Sequence, residues 1–210
     1  MDYVTEAIER LCSALSERSE VSSATLYGSY VRGTFREGAS DINLAVVVRN
    51  DAALAGITPA LRDAWRAARI DPWIARADEL ARLTDVFATR VRSIQRVHRM
   101  LIGDDPWRAL VVPRPALRLR IEQELRNHQL RLRHAEVLSD ATGHVRQLHA
   151  TATALRIDLE LLEELGRVEL PSDDVALILN QRFDDVPAAL AAAHRVLDRA
   201  VSFIDQLEVT

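Results

Sequence analysis

Gly28 and Ser29 follow a short apolar run, Arg32 and Gly33 come just after, and Asp41 and Asn43 open a second, longer apolar run. The pattern predicts a strand, a Gly-Ser turn, a short helix, a loop and a second strand that begins at an acidic residue. Such a layout sets phosphate-binding amides and a metal ligand at one edge of a sheet. Asp41 and Asn43 are two positions apart, so on a strand their side chains share a face. Asn43 offers a carbonyl oxygen without charge. It is a poorer partner than a carboxylate for Mg²⁺, which prefers anionic oxygens in a tight octahedron. A plainer reading stands beside this one. Gly28 then serves only turn geometry, Ser29 is an N-cap, and Asp41 is the acid at the end of a Gly38-Ala39-Ser40 turn.

The elements that must position these residues are legible as changes of hydrophobic period. Val4, Ile8, Leu11 and Leu15 recur at helical spacing and predict a first amphipathic helix from about Tyr3 to Arg18. Ser22 to Tyr27 predicts a short strand. Ile42 to Val48 is β-branched and almost wholly apolar, as in a strand buried on both faces. Thr58-Pro59 suits an N-cap and first helical position, with the helix running to about Ala68. Arg69 to Ala75 forms a third strand, and Pro72 within it favours a sheet edge. Ala77-Asp78-Glu79-Leu80 opens another short helix. Beyond Thr84 the period is helical. Phe87, Val91, Ile94, Val97 and Leu101 make one stripe, ended by Gly103-Asp104-Asp105-Pro106. Leu117 to Ala135 marks a long helix, and Val145 to Leu162 a packed seam. Ser172 caps a shorter helix, and Asp185, Val186 and Pro187 start the last. This predicts an α+β chain: a small mixed β-sheet domain at residues 1–83, then an up-and-down α-helical bundle at 84–210.

Gly28-Ser29, its spacer and Asp41-Ile42-Asn43 resemble the nucleotidyltransferase superfamily, which includes small-molecule nucleotidyltransferases and DNA polymerase beta. The signature of that superfamily is Gly-Ser, a spacer and Asp-x-Asp; Asn43 departs from it. The stretch from Asp85-Val-Phe through Gly103-Asp-Asp-Pro to Glu122-Gln-Glu-Leu-Arg126 is similar to small bacterial nucleotidyltransferase-like proteins with a helical C-terminal domain. The resemblance implies that Gly28 and Ser29 hold the triphosphate of an NTP at a helix N-terminus. Arg32 and Arg36 lie on that helix, within reach of phosphates or simply solvated. It also implies that Asp41, Asn43 and Asp71 ligate Mg²⁺, at a weakened or single site, with Asp71 as general base. Asp71 equally suits a surface acid before Pro72. Trp73 suits stacking on a ligand ring or ordinary packing.

The implied function is transfer of a nucleoside monophosphate to a hydroxyl of a small molecule or protein. The alternative is a catalytically inactive relative, a pseudoenzyme that binds nucleotide or a protein partner. Composition narrows the partners. The net charge of −4 argues against a nucleic-acid backbone coat. All 27 basic residues are Arg, read as composition bias. The single Cys12 excludes an internal disulfide. No signal-peptide pattern and no membrane-length apolar run stand out, so a cytoplasmic protein is expected. The six His residues form no ligand pattern; His98, His128 and His149 suit helix surfaces or interhelical hydrogen bonds. The Arg-rich run from Arg114 to Arg133 reads as a solvated, salt-bridged helix face. Ala- and Leu-rich seams suit a homodimer through the helical domain.

Overall fold

The computed structural model of the chain describes residues 2–38 and 40–207, so the middle of the expected Gly38-Ala39-Ser40 turn lies outside the described residues. Two compact units emerge, Met1–Val112 and Pro113–Thr210. Residues 84–112, expected with the bundle, sit with the sheet instead.

In the first unit, helix α1 (Asp2–Ser16) precedes strand β1 (Val21–Tyr27), and strand β2 (Ile42–Val48) follows. Helix α2 (Ala53–Ala68) then crosses over to strand β3 (Ile70–Arg76). A 3-10 turn at Ala77–Glu79 leads into helices α3 (Leu80–Val86) and α4 (Ala88–Arg96), and strand β4 is His98–Ile102. The sheet order is β3-β2-β1-β4. β1 runs antiparallel to both β2 and β4, whereas β2 and β3 are parallel. Pro72 is tolerated because β3 is an edge strand, where one row of amides needs no ladder partner.

β2 is buried on both faces, as its β-branched run requires. Ile42, Leu44, Val46 and Val48 pack with Val4, Ile8, Leu11 and Leu15 of α1 and with Ile57, Leu61 and Ala64 of α2. Ala45 and Val47 pack on the other side with Tyr27, Ile94 and the fully buried Trp107. Trp107 is held from several directions. Its Nε1 donates to Thr25 Oγ1 at 3.0 Å, its backbone N–H donates to Asp105, and its carbonyl accepts from Gln95.

Three sequence expectations change here. The stripe from Phe87 to Leu101 is not one helix: α4 ends at Arg96, Val97 is extended, and His98–Ile102 pairs with β1. Pro59 lies inside α2 rather than at its start. The Asn50 side chain accepts from the Ala52 N–H at 3.1 Å, an Asx turn that begins the helix well before Thr58. Thr58 is no cap; its hydroxyl donates back to the Leu54 carbonyl at 2.6 Å.

Among its described residues the second unit has four helices: α5 (Arg114–Leu138), α6 (Ala141–Leu165), α7 (Ser172–Asn180) and α8 (Val186–Gln206). Asp185 caps α8 by accepting from the Ala188 N–H at 3.0 Å, as expected. Ser172 is the first helical residue rather than the cap of α7, because Pro171 occupies that place. The Arg-rich face of α5 does more than meet solvent. Arg118 donates to the Ile204 and Leu207 carbonyls, and Arg114 to those of Glu164 and Leu165. Both guanidiniums thus satisfy the open C-terminal carbonyls of α8 and α6. His128 bonds the buried Asp158 across α5 and α6 at 2.9 Å, and His149 meets Gln181. No helix among the described residues is long and apolar enough to cross a membrane.

Candidate functional site

Strand register places four polar side chains in one row across the sheet. Asn43 pairs with Asp71 on β3 and with Tyr27 on β1, and Tyr27 pairs with His98 on β4. Residues directly opposite on neighbouring strands share a face, so Asp71, Asn43, Tyr27 and His98 all project to the side opposite α1 and α2. The next row inward is Trp73, Ala45, Thr25 and Met100, which belongs to the Trp107 core. The polar row is therefore the rim of a packed apolar face.

Asp41 lies one step beyond the ladder and Arg69 stands beside it, since Ile42 pairs with Ile70. Arg69 Nε donates to Asp41 Oδ1 at 2.6 Å. The Arg69 guanidinium also lies 5.1 Å from the centroid of the Trp65 ring. Its backbone is left-handed, with φ 51°, where it ends α2; its N–H bonds the Trp65 carbonyl, and its own carbonyl accepts from Ile42. That tight passage from helix to strand puts the arginine opposite Asp41. The Asp41 bond holds the guanidinium above its ordinary pKa.

Gly28 sits at the end of β1 with φ +79°. A Cβ built there would lie 2.5 Å from Asn43 Nδ2, so the Asn43 amide lies directly against the Gly28 backbone. Gly28 is thus required both for its left-handed turn and for the close approach. The helix expected after Ser29 is absent. Residues 28–34 form consecutive turns instead, with Arg32 N–H to Gly28 O at 3.1 Å and Thr34 N–H to Ser29 O at 3.0 Å. A helix-dipole argument for phosphate at Ser29 therefore does not hold, and Arg32 and Arg36 are loop residues. Gly33 has φ +75°, a conformation that interrupts a right-handed helix at this point.

Burial pushes the Tyr27 phenol above its ordinary pKa; nearby Arg90 draws it down and Asp71 pushes it further up. The Arg90 guanidinium, on α4, lies 5.0 Å from the Trp73 ring centroid. Trp73 itself stacks 5.9 Å from Trp107 and meets Phe87 edge-on, so it is a packing residue. His98 bonds the Ile94 carbonyl and Asp105.

Sequence reasoning thus brought Gly28, Asp41, Asn43 and Asp71 to one end of one sheet. It missed Arg69, Arg90, Tyr27 and His98. Strand register reveals Tyr27, His98 and Arg69, and the ring contact with Trp73 reveals Arg90; the one available signal for Arg69 was its place at the start of the expected third strand.

Among the described residues no three His, Cys, Asp or Glu side chains group into a metal cluster. Asp41, Asp71 and the Asn43 amide oxygen suit one hard cation completed by water and phosphate oxygens. They supply too little negative charge for two cations held close together.

The nucleotidyltransferase domain family model matches residues 8–94. Among solved structures, the fold is similar to that of spectinomycin adenyltransferase AAD(9) from Enterococcus faecialis, determined with ATP and spectinomycin. The two agree with a TM-score of 0.56 at 13% identity, over 93% of this chain and 98% of that one. No match was found among the curated proteins. The chain has a nucleotidyltransferase fold, an α+β architecture in which residues 8–94 match the nucleotidyltransferase domain model.

Proposed function

We propose that this protein binds an NTP at the Gly28 end of the sheet and transfers its nucleoside monophosphate to a hydroxyl of a small molecule. The observation that carries this reading is the register pair Asn43–Asp71, with Asp41 immediately before the strand and two residues ahead of Asn43. The ATP and spectinomycin of the AAD(9) structure support the substrate classes, a purine NTP and a polyhydroxylated acceptor.

The roles follow from position. The Gly28–Ser29 turn lets the triphosphate approach the backbone closely. Asp71, exposed at the sheet edge, takes the proton of the acceptor hydroxyl. The hydroxyl oxygen then bonds to the α-phosphorus, the bond from that phosphorus to the bridging oxygen breaks, and pyrophosphate leaves. Asp41, Asp71 and Asn43 would hold Mg²⁺, which when bound neutralises charge on the phosphates. Positioning and charge neutralisation supply most of the rate enhancement, as in other phosphoryl transfers.

A second reading has its own support. Asn43 stands where a carboxylate completes Asp-x-Asp, and Asp41 is already engaged by Arg69. Both features favour a protein that holds nucleotide without turning it over.

Pyrophosphate release from ATP, assayed against a panel of aminocyclitols and aminoglycosides, separates the two. Release by the parent that Asp71→Asn abolishes supports transfer. Release seen only in Asn43→Asp supports the second reading. A parent whose release is unaffected by Asp41→Ala and Asp71→Asn overturns the site assignment.

A further inference from the structure

We infer that Arg69 is a nucleotide-binding residue whose guanidinium takes phosphate oxygens directly, so that nucleotide binding at this site does not require Mg²⁺. The inference rests on the proposed nucleotide site and concerns what neutralises the phosphates there.

The charge inventory points this way. With Asn43 neutral, the rim carries two carboxylates, Asp41 and Asp71. Arg69 lies on Asp41, and the Arg90 guanidinium lies 5.0 Å from the ring centroid of Trp73, two residues after Asp71 on β3. Asp41 is thus already paired with a guanidinium in the absence of a cation. A third carboxylate at position 43 would add repulsion towards a triphosphate, and the neutral Asn43 removes it.

The geometry is equally specific. Arg69 is fixed from three sides: its backbone closes α2 and joins the β2 edge, its Nε is on Asp41, and its planar group rests on Trp65. Its Nη1 and Nη2 make no further hydrogen bond among the described residues. The side chain remains 59% exposed, against 38% for Asp41. A guanidinium oriented in advance, with free N–H groups aimed outward, matches the planar bidentate recognition of phosphate. Bracing by Trp65 and Asp41 lowers the ordering cost on binding. Arg69 and Gly28 flank β2 at the same end of the sheet, one following the turn that enters β3 and the other ending β1.

Calorimetric titration of ATP into the full chain, once with Mg²⁺ and once with EDTA, tests this. The parent is expected to bind in EDTA within about threefold of its affinity in Mg²⁺. Arg69→Gln is expected to lose about tenfold or more in EDTA, the scale of a charge-assisted pair, while keeping most of its affinity in Mg²⁺ because Asp41 is released to the metal. Arg69→Lys keeps the charge without the fork and is expected to fall between them; it also carries the test should Arg69→Gln fail to fold. Binding by the parent only in Mg²⁺ overturns the inference but leaves the proposed function standing. So does EDTA binding that neither variant alters. No ATP binding under either condition removes the proposed function itself, and this inference with it.

Discussion

Asn43 lies against Gly28 so closely that a Cβ at Gly28 would fall 2.5 Å from the Asn43 Nδ2. The turn proposed for phosphate and the strand position of the missing carboxylate are therefore one mechanical unit. Gly28→Ala combines this clash with a left-handed φ of +79°. The expected loss is about 1–3 kcal/mol by urea unfolding. The clash is with the end of a short side chain, so in an Asn43→Ala background only the conformational part remains and the loss shrinks. A double-mutant cycle with no coupling contradicts the close approach.

Gly103 faces a harder neighbour. A Cβ there would lie 2.0 Å from the Ser22 carbonyl oxygen, and φ is +70°. Backbone cannot swing aside as an amide side chain can, so Gly103→Ala is expected to cost more than Gly28→Ala. Thermal midpoints of the two variants, measured together, check the order.

Trp107→Phe keeps most of the buried volume but removes the Nε1 bond to Thr25. A loss of about 1–3 kcal/mol is expected in denaturant unfolding. In a Thr25→Val background the penalty should fall, since the hydrogen bond is already gone. An equal penalty in both backgrounds contradicts that bond.

Burial pushes the Asp105 carboxyl up, but the Trp107 and Arg108 amides and His98 outweigh it and hold its pKa below the usual carboxylate range. A folded pKa below the unfolded one gives stability that is full above the ordinary carboxylate pKa. That stability is lost as pH falls through the depressed folded value. Asp105→Asn lacks this component. The stability gap between parent and variant is expected to be full above the ordinary carboxylate pKa and to close as pH falls below it. A gap that is constant across this range contradicts the assignment.

Much of the fold was readable because its elements are locally unambiguous. Ile42–Val48 could hardly be anything but a buried strand, and Pro72 correctly placed its own strand at the sheet edge. The stretch from Phe87 to Leu101 misled because residues at helical spacing ran across a break at Val97; His98–Ile102 is a strand through its pairing with β1, a long-range fact. Pro59 misled because the Asn50 turn starts α2 earlier. At the site, residue types supplied Gly28, Asp41, Asn43 and Asp71. The short helix after Ser29 was expected from the residue pattern, and Gly33 with its positive φ stands against it. Arg69 carries no signature, since an exposed arginine after a helix is commonplace, and only β2–β3 register sets it on Asp41.

The central claim is that this end of the sheet holds a nucleotide. Titration of ATP into the full chain in Mg²⁺, repeated with Asp41→Ala and Asp71→Asn, tests it most directly. Saturable binding at a single site, altered about tenfold or more by at least one of the two substitutions, is the expected result. Absence of binding for every NTP, or binding indifferent to both substitutions, would contradict it.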